Sequence, residues 1–152
     1  FMAFVSYAVK SGQKIPKSWY DENGNLKHGE RLCYEYWLDK HPKGTTCLVD
    51  TISLELGMIH LIEAALSSPR RKNALKMARI DSYVDIPDFV RRAIFARRMF
   101  DANGLQDKKI VLTGDLNAAR AREINRIFAI IVYEPSEYVR NPKCYWKYNQ
   151  IR

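Results

Sequence analysis

Cysteine is scarce in this chain of 152 residues. Cys33, Cys47 and Cys144 are odd in number, lie far apart and form no CxxC pair, which excludes a disulfide framework. Histidine is equally scarce, and His28, His41 and His60 combine with those cysteines in no zinc-ligand spacing. Neither GxGxxG nor GxxxxGK[ST] occurs, so no glycine loop for a phosphate cofactor is present, and no GxSxG elbow carries a nucleophile. From these motifs no cofactor and no resident metal are expected.

A long apolar run free of charge is also missing. The most apolar stretch, Cys47–Leu66, contains Asp50, Glu55, His60 and Glu63. Each carboxylate would cost about 2.5–3.5 kcal/mol near a bilayer centre, so the stretch reads as a buried helix and no membrane partner is expected. Phe1–Val9 lacks both the basic start and the small-residue cleavage pattern of a signal peptide, which gives a cytoplasmic location as the expectation.

Apolar residues are not lacking. With 47% hydrophobic and 28% charged residues the composition is globular, and the length suits one domain over 1–152. Charge of one sign dominates half of it. Residues 1–68 hold 7 basic against 8 acidic residues, whereas residues 69–152 hold 18 against 9, so the halves carry −1 and +9. A field of that kind attracts polyanions.

Ala3–Val9 reads as a short strand, and the loop that follows, with its Asp21–Asn25 turn, completes a strand-plus-loop segment over 1–27. Leu32, Cys33, Tyr36 and Trp37 are spaced as the apolar face of a helix over His28–Lys40, which His41-Pro42-Lys43-Gly44 stops. The apolar helix then starts at Thr46 or Asp50 and ends at Ser67-Ser68-Pro69. A further helix is expected over Pro69–Ile80, with proline where its missing N–H costs nothing.

The next helix, from Ile86-Pro87-Asp88 to Asn103-Gly104, places Phe89, Ala93, Ala96 and Phe100 on one side and Arg91 and Arg98 on the other, flanked by Arg92 and Arg97. Lys109–Thr113 reads as a strand. Asp115 is the expected N-cap of a last helix reaching about Ile131, whose buried stripe is Leu116, Ile124, Ile127, Phe128 and Ile131. Residues 133–152 form a basic aromatic tail. The expected fold is therefore mainly α: a compact helical domain of about five helices with one or two short strands, Ala3–Val9 and Lys109–Thr113, paired at one edge.

The expected function is nucleic-acid binding through the phosphate backbone. Arg70, Arg71, Lys72, Arg91, Arg92, Arg97 and Arg98 supply the cations, and Tyr145, Trp146 and Lys147 of the tail add rings that stack on bases. A second reading is a small enzyme acting on a nucleic acid or another phosphorylated substrate. Its candidates are Glu55, His60 and Glu63 of the apolar helix and Asp85 of the loop before the arginine helix, as acid, base or metal ligand. The bland alternative pairs those carboxylates with arginines such as Arg120. A third reading is an adaptor or inhibitor docked on an acidic protein surface, since arginine and aromatic residues also mark protein interfaces. A second copy of the chain is a further candidate partner, because an apolar helix stripe can be buried against its own kind.

Overall fold

The structure is a computed structural model, and it describes residues 16–133, of which 129–133 by backbone alone. After a short 3-10 turn at Lys17–Trp19 come α1 (Gly29–Lys40), β1 (Thr45–Leu48), α2 (Leu54–Leu66), α3 (Pro69–Ala74), β2 (Leu75–Ile80), α4 (Ile86–Ala102), β3 (Lys109–Leu112) and α5 (Ala118–Tyr133). The strands form a three-stranded parallel sheet in the order β1-β2-β3. Met77 pairs with Lys109 and Ile80 with Leu112. Helix and strand alternate because parallel neighbours cannot be joined by a tight turn: α2 and α3 carry the chain from β1 to β2, and α4 carries it from β2 to β3.

The expected mainly α fold is thus corrected to α/β. The helix expected over Pro69–Ile80 stops at Ala74, where Leu75 turns to extended backbone (φ −66°, ψ 124°). From there Leu75, Ala78 and Ile80 are buried, with Lys76, Met77 and Arg79 between them. Leu75, Ala78 and the residues around them satisfy an i, i+3 helical spacing, and the pairing of β2 with β3 decides against it. The apolar helix likewise starts later than expected. Thr45, Thr46, Cys47 and Leu48 are strand, and Ser53, whose hydroxyl accepts the Leu56 N–H at 3.2 Å, caps α2.

Lys109–Leu112 is the strand expected there, paired with β2; Ala3–Val9 lies outside the described residues. Asp115 is no cap. It sits at φ +45°, and Asn117 caps α5 by accepting the Arg120 N–H at 2.9 Å. Leu116 is accordingly 37% exposed, while Ile124 of the expected stripe is 5% exposed.

The chain divides into two compact units. One comprises Phe1–Cys47 and Ile59–Lys76, the other Leu48–Met58 and Met77–Arg152. In the first, α1 packs on α3, and Leu32, Leu38, Leu61, Ala64 and Leu75 are buried. In the second, α4 packs on α5 and β3, burying Phe89, Val90, Ala96 and Phe100. Asp85 opens α4 by accepting the Asp88 N–H at 2.7 Å, and Asp88 in turn accepts the Val84 N–H at 3.1 Å, a reciprocal cap. No described helix is long and apolar enough to cross a membrane.

α1 buries a different face from the one its aromatic residues suggest. Leu32, Tyr34 and Leu38 are buried with Glu30 and Glu35, whereas Tyr36 and Trp37 are 48% and 46% exposed. Two carboxylates can face inward because each is met by a partner. Glu35 takes Lys27 at 3.0 Å, Arg31 at 3.1 Å and Arg71 at 3.0 Å, and Glu30 takes His60 at 2.7 Å.

Candidate nucleic-acid interface

Most of the arginines expected to face phosphate are held by the protein itself. Arg71 grips Asp39 with two nitrogens, at 3.0 and 2.7 Å, and also reaches Glu35. Arg92 binds Asp88 at 2.8 Å, one helical turn back. Arg97 binds Asp101 at 2.8 Å and folds over the end of α4 to donate to the carbonyls of Leu105 and Lys108. The terminal nitrogens of Arg98 are closed to solvent. Lys72 is half-buried. Arg70 is exposed, with a 3.3 Å bond to the Asp39 carbonyl, and Arg91 is exposed with Asp88 at 3.7 Å. Tyr145, Trp146 and Lys147 lie outside the described residues.

The Arg71 fork also sets a pH dependence. Its hydrogen bonds hold the Asp39 carboxyl below the ordinary range, against a smaller upward push from burial. A depressed folded pKa contributes stability above the unfolded value, about 3.9, and loses it as pH falls through the folded value. Asp39→Asn is therefore expected to flatten the acid limb of stability below about pH 4, measured by urea unfolding at stepped pH.

A different basic surface stands at the C-terminal end of α1. With about 100° between successive residues, Tyr36 and Lys40 lie on the side of α1 turned away from Tyr34 and Leu38, and Trp37 stands at the flank of that side, about 60° from Lys40. The Lys40 ammonium lies 5.4 Å from the centre of the Tyr36 ring. Trp37 donates its indole N–H to Thr45 Oγ1 at 2.8 Å, and the His41 ring packs against it at 4.1 Å with a 48° tilt. That bond and contact orient the indole while nearly half its surface stays open. Lys40, Lys43 and Lys76 are all exposed.

Gly44 lets Lys76 lie close by: at φ +132° it carries no side chain, and a Cβ there would come within 3.0 Å of the Lys76 stem. Aromatic side chains of this size normally bury about 150–250 Å² each. Two such rings on one helix end, each about half open and one of them beside Lys40, can offer faces to flat rings with a cation at hand for an adjoining anion.

No protein-family model, curated protein or solved structure matches the chain.

Each of the four acid–base candidates has a partner of its own among the described residues. Glu55 is exposed and accepts the Ser53 hydroxyl at 2.8 Å, and Asp85 caps α4. Glu63 pairs with Arg31 at 3.1 Å, and His60 bonds Glu30. Arg120, offered by the sequence as a partner for such carboxylates, instead donates to Tyr83 Oη at 3.1 Å and the Asp115 carbonyl at 2.7 Å. Sequence reasoning missed the half-open α1 rings because it assigned Tyr36 and Trp37 to the buried face. The available signal is the Tyr36-Trp37 pair followed within six residues by Lys40 and Lys43.

Proposed function

We propose that this protein binds single-stranded nucleic acid, stacking unpaired bases on Trp37 and Tyr36 and holding the adjoining phosphates with Lys40, Lys43 and Lys76. The reading rests on one observation: two aromatic rings at one end of α1 are about half exposed, one with the Lys40 ammonium 5.4 Å from its centre and the other fixed by its indole N–H. An unpaired base offers its π-face, which a duplex keeps stacked, so rings of this kind favour single strands. The overall excess of positive charge supplies long-range attraction, and in the second unit Arg91, Arg122 and Arg126 are exposed cations.

Fluorescence anisotropy with a labelled single-stranded oligonucleotide, titrated at several salt concentrations, tests this. Trp37→Ala is expected to weaken binding by about 1–3 kcal/mol, roughly 5- to 150-fold, as is usual for one stacked base. Lys43→Glu is expected to weaken binding and to make the plot of log K against log salt shallower by about 0.7 for each phosphate no longer neutralised. Binding that ignores Trp37→Ala, or no binding even at low salt, refutes the reading.

A further inference from the structure

The first unit holds a second constellation, unconnected with stacking. His28 stands just before α1, Glu30 lies in its first turn, and His60 projects from α2. One ligand atom from each lies within 4.8 Å of the others. We propose that His28, Glu30 and His60 form a binding site for a Zn²⁺-class transition ion, with its remaining position open to water.

Donor chemistry supports that choice of ion. Two imidazoles and one carboxylate suit zinc and its borderline neighbours, whereas Mg²⁺ and Ca²⁺ prefer oxygen alone. Burial supports the site. Glu30 is 3% exposed, and among the described residues no lysine or arginine pairs with it; those of the neighbourhood are drawn to Glu35, Asp39 and Glu63 instead. Its oxygens meet His60 Nδ1 at 2.7 Å and the Tyr34 hydroxyl at 3.4 Å. A divalent ion would bring positive charge to a carboxylate whose side-chain partners among the described residues are these two groups. The 2.7 Å bond already holds the His60 ring against the Glu30 carboxylate, so these two ligands stand side by side before an ion enters between them.

The geometry shows which ligand must move. The His28 and His60 rings are stacked, with centroids 4.2 Å apart and planes 13° from parallel. Lone pairs of nearly parallel rings run side by side, so one ring must tilt before both can point at one ion. His28 is the free-moving member: it is exposed, and its Nδ1 holds the helix only through a long 3.3 Å bond from the Glu30 N–H. His60 is 9% exposed and held by Glu30. Glu30 and His60 are thus a preset pair, and His28 swings in to complete the set from the solvent side.

The metal-stripped full chain, titrated with ZnCl₂ by calorimetry and with CoCl₂ by visible absorption, tests the proposal. The expected result is one Zn²⁺ per chain, a raised melting temperature, and an intense Co²⁺ absorption characteristic of low coordination number. His28→Asn is the informative variant, because asparagine caps a helix as well as any residue and the fold is kept, while the imidazole is gone. It is expected to weaken Zn²⁺ binding at least about tenfold and to abolish the cobalt signal. Wild type and His28→Asn binding alike would overturn the site, since the ion would then sit elsewhere. So would a wild type that takes up no Zn²⁺.

Discussion

Gly57→Ala is expected to destabilise the protein by about 3 kcal/mol, lowering its melting temperature by on the order of 10 °C. Helix propensity alone gives the opposite sign: Gly57 is inside α2, where alanine is better than glycine by about 0.8–1.0 kcal/mol. The deciding fact is what a Cβ would meet. At this position it would fall 1.8 Å from the Val49 carbonyl oxygen and 2.7 Å from its carbon, well inside contact distance. The obstacle is backbone and it is anchored. Val49 donates its N–H to the Arg79 carbonyl at 3.1 Å, and the next residue, Asp50, accepts the N–H groups of Asp81 and Ser82 at 2.8 and 2.6 Å. Relieving the overlap would pull on those three bonds at once. Urea unfolding of Gly57→Ala against wild type checks this; an equal or greater stability would show that α2 can move off the strand end.

The same region shows how far the sequence could be read. α4 was legible almost residue by residue, because its apolar positions repeat at helical spacing and its ends carry local signals, Asp85 with Pro87 at the start and Asn103-Gly104 at the close. β1 and β2 were not. They are four and six residues long. β2 follows α3 without a turn, and Leu-Lys-Met-Ala-Arg-Ile contains good helix formers. What makes that segment extended is its parallel register with Lys109–Leu112, a distant partner that no local window contains.

Side-chain destinations were harder still. Helical angles place Arg91 and Arg98 opposite the Phe89–Phe100 stripe with Arg92 and Arg97 at the flanks, yet they do not say where a guanidinium on a long stem ends. Arg97 folds over the Phe100 ring and ends on the Leu105 and Lys108 carbonyls beyond the helix. On α1 the error ran the other way. Tyr36 and Trp37 look like core by residue type, but the buried side is claimed by Glu30 and Glu35, whose partners Lys27, Arg71 and His60 come from other parts of the chain. Only those partners make a carboxylate-bearing face the inner one. The exposure of the rings proposed for bases thus depends on the ion pairing that turns Glu35 inward.

Glu35→Ala is accordingly expected to cost about 3–5 kcal/mol, the usual loss when one member of a buried ionic cluster is removed and the others stay. Glu35 is 4% exposed and receives three cations, Lys27 and Arg71 at 3.0 Å and Arg31 at 3.1 Å. Their side chains are themselves only 12%, 19% and 23% exposed, so water cannot fully replace the missing carboxylate. Arg71 retains Asp39 and Arg31 retains Glu63, which limits the damage at those two; among the described residues Lys27 keeps the Ser18 carbonyl at 2.9 Å and no second carboxylate. Glu35→Gln separates charge from shape. It preserves volume and one acceptor oxygen, and is expected to lose less than Glu35→Ala while still leaving the positive charge unbalanced. Trp37 supplies a second readout. If ion pairing sets which face of α1 is buried, Glu35→Ala should raise the exposure of that face and change the surroundings of Trp37, visible as a shift in near-ultraviolet circular dichroism. A stability within about 0.5 kcal/mol of wild type, the range of an ordinary surface substitution, would show instead that apolar contacts of Leu32 and Leu38 alone orient the helix.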